Sequence, residues 1–484
     1  MKTLIKTLFI ISFTITSCDN YLDIKPLSEL APDNFLKTEE GLQSLLYSSY
    51  ANWFNTTGNN RGLIGVQEFG ADIIWQSGGG ENRDAVQFLE FTHGPETGIV
   101  TQIWTTNYRA IRDANLLIEN IDETDIHDDK KKLYKAEARF IRAISYYRLF
   151  LAYGTVPLRT STTQELEIPR ALENEMKQFI EQELLDVVDL LPFPGDETIK
   201  GRANKGAALG YLVKFYLNTK QWDKCSQTSK ILIDLNHYDL FPIYENLFNV
   251  EYEDNNEIIW TIELIASTEI TSNAMINAVF PVNFAKDPKT GLEWNPNWRR
   301  IASQYRIIDE FYNSFEDGDK RKNLILTEYI NFSGELVSLL NNDDTRPFKY
   351  WPDPNGFGAS HGNDLPQIRY ADILLSRAEA LNEINGPTQE SVSLINLIRN
   401  RAGLKNKELA DFPSKDSLRA HILDERGWEF WFEAKRRYDL IRMDKFIEKA
   451  HARGKSNAQP HHVKFPIPQF AMDSNPLLEQ NSGY

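Results

Sequence analysis

Residues able to do chemistry are plentiful in this sequence, but their spacing nominates no catalytic centre. There is no G-x-x-x-x-G-K-[ST] phosphate loop and no H-E-x-x-H pair. The triple glycine Gly78-Gly79-Gly80 lacks the lysine of a phosphate loop. Glu316-Asp317-Gly318-Asp319 does not continue as a calcium loop, and a solvated turn is expected there. The eight histidines give no ligand spacing. His461 and His462 are adjacent and would point apart in an extended tail, so surface histidines are expected. Cys225 falls where a helical hairpin wants a small residue, which makes it a core residue and not a nucleophile. No catalytic residue, metal site or cofactor is therefore expected. Carboxylates are abundant enough to leave a glycosidase-type pair open, with none preferred. What does concentrate is tryptophan: Trp260, Trp294, Trp298 and Trp351 fall in a stretch without helical regularity, 238–368. A long irregular insertion on a regular scaffold is where binding usually sits.

The elements that must carry such an insertion read as mainly α. Of the 484 residues, 41% are hydrophobic and 25% charged, which suits a globular chain with a sizeable core. Helical periodicity runs from Thr38 to Trp53, from Gln102 to Ile121, from Asp129 to Tyr153 and from Leu172 to Leu191. Lys205 to Asn218 and Trp222 to Leu235 form a hairpin with tetratricopeptide-like spacing, and Tyr370 to Asn382 with Gln389 to Arg401 form another. Helix resumes from Ser417 to about Arg453, then gives way to a Pro-rich extended tail. Glu257 to Leu264 reads as a strand. The expected layout is helical hairpins over about 102–236 and 369–453, with loop-rich insertions over about 55–100 and 238–368. The formal net charge of −16 argues against a nucleic-acid partner.

The first residues read as an address. Lys2 and Lys6 precede a short apolar run that ends in Ile15-Thr16-Ser17-Cys18. This resembles a bacterial lipobox, with residues 1–17 as signal peptide and Cys18 as the lipidated residue. Residues 18–38 would be the anchor and its tether. No later stretch is apolar enough to span a membrane.

Several segments resemble the SusD/RagB family. They are Lys135 to Phe150 followed by Gly154-Thr-Val-Pro-Leu158, Arg369 to Asn382, Leu397 to Leu404, Ile422 to Arg442, and Pro466-Ile-Pro468 with Asn475 to Tyr484. Tyr21 to Pro26 fits as well. The blocks keep family order along the whole chain. Ala434 and Arg437 depart from it, standing where a glycine and a tryptophan are common. The resemblance implies a tetratricopeptide-like α-helical scaffold with a loop-rich ligand face, one domain over 39–484. It also implies an outward-facing outer-membrane lipoprotein. Such a protein binds nutrient, usually oligosaccharide, without turnover and passes it to a TonB-dependent SusC-like transporter. A surface glycoside hydrolase, a peptide-binding protein and a pure partner-docking scaffold remain the alternatives.

Within that resemblance, Glu425, Arg426, Trp428, Trp431, Arg436 and Asp439 sit at helical spacing and are expected to pack and pair in the core. Ligand contacts are expected from the loops, where aromatic rings meet the C–H faces of sugars and polar groups meet hydroxyls. The first candidate patch is Asp72, Trp75, Asn82 and Arg83. The second is Trp294, Asn295, Asn297 and Trp298 around Pro296, and the third is Trp351 with Asp353. In the family, the regions of the first two patches contribute ligand contacts.

Overall fold

A computed structural model describes residues 35–55, 67–80, 82–267, 272–302 and 304–484. Cys18 and most of the expected tether lie outside these residues. The helices are α1 (Glu39–Phe54), α2 (Asn82–Leu89), α3 (Gly98–Asn120), α4 (Asp128–Tyr153), α5 (Glu173–Val187), α6 (Lys205–Asn218), α7 (Trp222–Asp234), α8 (Ile276–Val279), α9 (Asp309–Ser314), α10 (Tyr370–Asn385), α11 (Gln389–Arg401), α12 (Lys415–Phe430), α13 (Arg436–Arg442), α14 (Phe446–Ala452) and α15 (Gln469–Ser474). The strands are β1 (Ile74–Ser77), β2 (Ile258–Ile262), β3 (Phe284–Lys286), β4 (Gln304–Ile307), β5 (Ile325–Leu326), β6 (Glu328–Asn331), β7 (Leu336–Ser338), β8 (Arg346–Pro347) and β9 (Leu365–Arg369). The helical-hairpin architecture expected from sequence is the one observed.

Local chemistry sets the helix ends. Thr38 Oγ1 accepts from the Gly41 N–H at the start of α1, and Asn204 Oδ1 accepts from the Ala207 N–H at the start of α6. Asp128 and Asp129 put negative charge on the first turn of α4, and Gly154, at φ 79°, ends it. Neighbouring helices pack in series: α1 on α3, α3 on α4, α4 on α5, α5 on α6 and α6 on α7. Helix α7 then packs on α10, which also contacts α11 and α12, so the two sets of hairpins form one row. Cys225 lies fully buried at the α7–α10 junction, its Sγ 3.8 Å from the Val213 and Ser376 carbonyls. Burial pushes its thiol far above the ordinary range, in keeping with a core residue.

The insertion 238–368 is irregular but not structureless. It supplies most of four small antiparallel sheets, in the orders β1-β4, β2-β9, β3-β6-β7 and β5-β8. The 55–100 stretch likewise holds β1 and α2. Among the described residues no helix is long and apolar enough to cross a membrane.

Three expectations are corrected. The helix expected from Ser417 to about Arg453 is broken three ways. α12 stops at Phe430, and Phe432, Ala434 and Asp444 take positive φ between α12, α13 and α14. Trp428 and Trp431 are both buried as expected, but Trp431 lies past the helix end. The cause is tertiary. The turn carries Glu433 to Lys349 and Arg369, with salt bridges of 2.5 and 2.8 Å. The Glu316–Asp319 turn is solvated only at Asp317 and Gly318. Asp319 is buried against Arg321 at 2.7 Å, and Glu316 holds Arg399 at 2.8 Å. His461 and His462 do not point apart. They sit in a 3-10 turn over 460–463 with ring centroids 4.1 Å apart, and His462 is buried against His93.

These ion pairs belong to a larger buried network. Arg321 reaches Glu425 at 2.6 Å, Arg401 bridges Glu257 and Glu429 at 2.6 and 2.5 Å, and Arg369 contacts Glu257, Glu429 and Glu433. It ties β9, α11 and α12 to the insertion, and its charged groups pair with one another.

Candidate functional site

The sequence patches fall on the insertion side of the helix row. Strand β1 pairs with β4 so that Trp75 lies opposite Arg306. The Trp75 indole N–H donates to the Asp343 carbonyl at 2.7 Å, and the Arg306 guanidinium sits 4.7 Å from the ring centre. Asp344 and the Ser77 hydroxyl hold that guanidinium from the side. Trp75 is half-buried, so its ring is an anchored edge with some surface free.

Asp72, three residues earlier, faces elsewhere. It accepts from Arg436 Nε and Nη2 at 2.6 and 2.8 Å. Burial works to raise its pKa, but Arg436, with Lys449 and Arg453 beyond, outweighs that and holds the carboxyl below its usual range. Arg83 is exposed beside Asp84 at the start of α2. Asn82 opens the same helix, and its side chain lies outside the described residues.

The second and third patches converge on Phe280. Trp294 meets it edge-on at 5.2 Å, Trp298 lies 5.5 Å away, and Phe348 stands between Phe280 and Trp351 at 4.9 and 6.4 Å. Trp298 is buried, packed also against His361 at 5.4 Å. Asn295 Oδ1 accepts from the Asn297 N–H at 2.9 Å, which shapes the turn around Pro296, and Asn297 remains exposed. Asp353 is buried and accepts from the Asn355 and Gly362 N–H groups at 2.8 and 3.0 Å. Trp351 is half-buried and borders a narrow cleft of about 320 Å³ with Asp287 and Thr290.

Two features of this face were missed by sequence. Arg300 lies flat between Trp294 and Phe332, 3.7 and 4.2 Å from the ring centres. Its Nη1 and Nη2 donate to the Val282 and Phe284 carbonyls at 2.9 and 3.2 Å. The Arg299-Arg300 pair directly after Trp298 was the available signal. Phe332, Leu336 and Val282 are exposed around it and widen the apolar surface. The second feature is Gly358-Ala359-Ser360-His361-Gly362, which has G-x-S-x-G spacing. It is not a nucleophile elbow. Ser360 is buried, sits in a tight turn between Phe357 and the following loop, and shares its hydroxyl with Ser272 at 3.2 Å. His361 turns its Nε2 to Asn277 at 3.1 Å.

The sheets join these parts. β4 follows the Trp294–Trp298 turn and pairs with β1, while Gly78, at φ 76°, lies so close to Ala302 that a Cβ would collide with its carbonyl. Gly358 bridges to Trp298, linking the third patch. Trp75, Trp294 and Trp351 thus belong to one connected set of loops and small sheets, and Asp72 does not.

The described residues thus form a row of helical hairpins that carries an aromatic, loop-built region. The comparisons with known proteins make this specific. One family model, the SusD family, matches residues 347–484, and another, described as starch-binding and associating with outer membrane, matches residues 20–217. SusD-like protein P2 of Formosa agariphila is 26% identical over the full length of both chains. The starch-binding protein SusD of Bacteroides thetaiotaomicron is 23% identical, also over the full length of both. A laminarin-binding SusD-like protein of known structure superposes with a TM-score of 0.80 at 21% identity, covering 93% of this chain and 100% of that one. The two matched segments and the full-length relatives make this chain similar to the SusD family.

Proposed function

We propose that this protein binds oligosaccharide or polysaccharide at the cell surface without cleaving it, and delivers it to a TonB-dependent SusC-like transporter in the outer membrane. The observation that carries this reading is the connected aromatic face. Trp294 and Phe332 flank Arg300, Trp75 is pinned beside Arg306, and Trp351 borders a cleft, all on loops and small sheets outside the helix row. Flat apolar rings beside N–H donors match the alternating C–H and O–H surfaces of a sugar. The relatives' names, starch-binding and laminarin-binding, support a glucan or a similar neutral chain as ligand. The family description supports placement at the outer membrane, with Cys18 as the lipidated anchor. Of the contacts expected from sequence, Trp75, Asn82, Arg83, Trp294, Asn297 and Trp351 are kept as ligand contacts, with Arg300 added. Asp72, Asn295 and Trp298 would act from behind, holding those loops in place.

Calorimetric titration of residues 19–484 with starch, laminarin and a wider polysaccharide panel tests this. Trp75→Ala and Trp294→Ala are each expected to weaken binding about tenfold, the equivalent of roughly 1.4 kcal/mol. Unchanged affinity in both variants rejects the site, and new reducing ends in the end-point mixtures reject the non-catalytic reading.

A further inference from the structure

We propose that the cavity between α4, α6, β9 and the α12–α13 junction is a second binding site, for a small oxyanion held by Arg148, Lys214 and Lys435. The cavity has about 900 Å³ of empty space counted out to its mouth. It lies among the helices, on residues that contribute nothing to the aromatic face.

Two of its cations, Arg148 and Lys214, lack the carboxylate partner that most buried cations of this core possess. Arg148 donates to the Trp53 carbonyl at 2.8 Å and stacks 3.9 Å from the Trp53 ring centre, but forms no salt bridge with any described residue. Lys214 Nζ donates to the Gln367 carbonyl at 3.1 Å and likewise has no carboxylate partner among the described residues. Lys435 Nζ shares that carbonyl at 3.4 Å, and its nearest carboxylate is Asp372 at 3.9 Å. Asp372 is already engaged by Arg426 at 3.0 Å. The two other acids on the wall are also committed: Glu433 to Lys349 and Arg369, and Asp439 to Arg426 and Arg442. Three cationic side chains therefore border one space, and among the described residues the only carboxylate within 4 Å of any of them is Asp372, 3.9 Å from Lys435 and shared with Arg426.

Two lysines converging on one carbonyl oxygen leave most of their N–H donors unused. Burying a cation without a partner is costly. The charged groups that face Lys214 are Lys435, Asp372, Arg426 and Arg148. Burial first, then Lys435, Arg426 and Arg148, push its pKa down to about 7, with Asp372 opposing. An oxyanion among Arg148, Lys214 and Lys435 would accept from all three and restore the charge on Lys214. Sulfate, phosphate and a carboxylate share that chemistry.

The test is thermal unfolding of residues 19–484 at pH 7.5 in sulfate, phosphate or acetate against chloride at matched ionic strength. At least one oxyanion is expected to raise Tm saturably by about 2 °C or more beyond chloride. Which anion does so separates a tetrahedral from a planar ligand. Lys214→Met and Lys435→Met are each expected to lose the shift while binding glycan as the parent does. Calorimetry of the unmodified chain in two buffers of different ionisation enthalpy gives a readout free of folding effects, with net proton uptake expected on anion binding. No excess over chloride for any oxyanion, an undiminished shift in both variants, or binding without proton uptake would each overturn the proposal.

Discussion

Asp364 shows how one residue's surroundings become a pH dependence. Its carboxyl is buried beside Glu253 and Glu263, with Lys200 at 3.6 Å and the Leu264 N–H donating to it at 2.8 Å. Burial, then the two glutamates, push its pKa up to about 8 against the pull of the N–H and the lysine. A raised carboxyl means that the folded chain holds a proton which the unfolded chain has released. Its stability contribution is full below about pH 4 and is lost as pH rises to about 8. Asp364→Asn is expected to flatten the decline of Tm over that window, and a profile unchanged in slope would refute the assignment. Ala434 offers a second test. It holds φ 59° in the turn between α12 and α13, with its N–H on Glu68 at 3.0 Å. An L-residue is strained there, so Ala434→Gly is expected to stabilise by up to about 1 kcal/mol in denaturant titration.

At the scale of elements, the hairpins were legible because their signals are local. Caps such as Asn204 and stops such as Gly154 act within a few residues, and apolar spacing repeats along each helix. The break after Phe430 was not legible. Trp431 to Lys435 contains neither proline nor glycine, and the force that ends α12 is an ion pair to Lys349, some eighty residues away. The site was legible in part for a related reason. Tryptophan in an irregular stretch marks either a platform or an anchor, and sequence cannot separate the two. Trp260 packs in the core against Trp53, Phe140 and Tyr211, whereas Trp294 meets Arg300 at the surface. The pairing of Asp72 with Arg436 spans 364 positions and leaves no local trace. Helix α6 supplies a prediction at this scale. Gly206 lies against Tyr238, and a Cβ there would overlap the tyrosine hydroxyl. Gly206→Ala should destabilise by about 1–3 kcal/mol despite alanine's better helix propensity, as read by denaturant unfolding. A gain in stability would show that Tyr238 moves freely.

At the scale of the whole molecule, the buried ion network joins segments far apart in sequence. Arg369 alone faces Glu257, Glu429 and Glu433. Arg369→Met should cost about 3–5 kcal/mol, because the three carboxylates would stay buried without it. A loss below about 1 kcal/mol in chemical denaturation would mean that the network relaxes around the gap. The segment 465–481 makes a connection of longer reach. Phe465 donates its N–H to the Ala152 carbonyl at 2.7 Å, Asn481 Nδ2 donates to the Tyr153 carbonyl at 2.8 Å, and Arg170 reaches back to Glu479 and Asn481. During synthesis, the end of α4 must therefore wait for more than three hundred further residues before these partners arrive. Until then Phe150 and Tyr153 lack part of their cover, and the half-made protein is open to aggregation and proteolysis. The exposure of the half-made chain is thus written into where this one late segment docks.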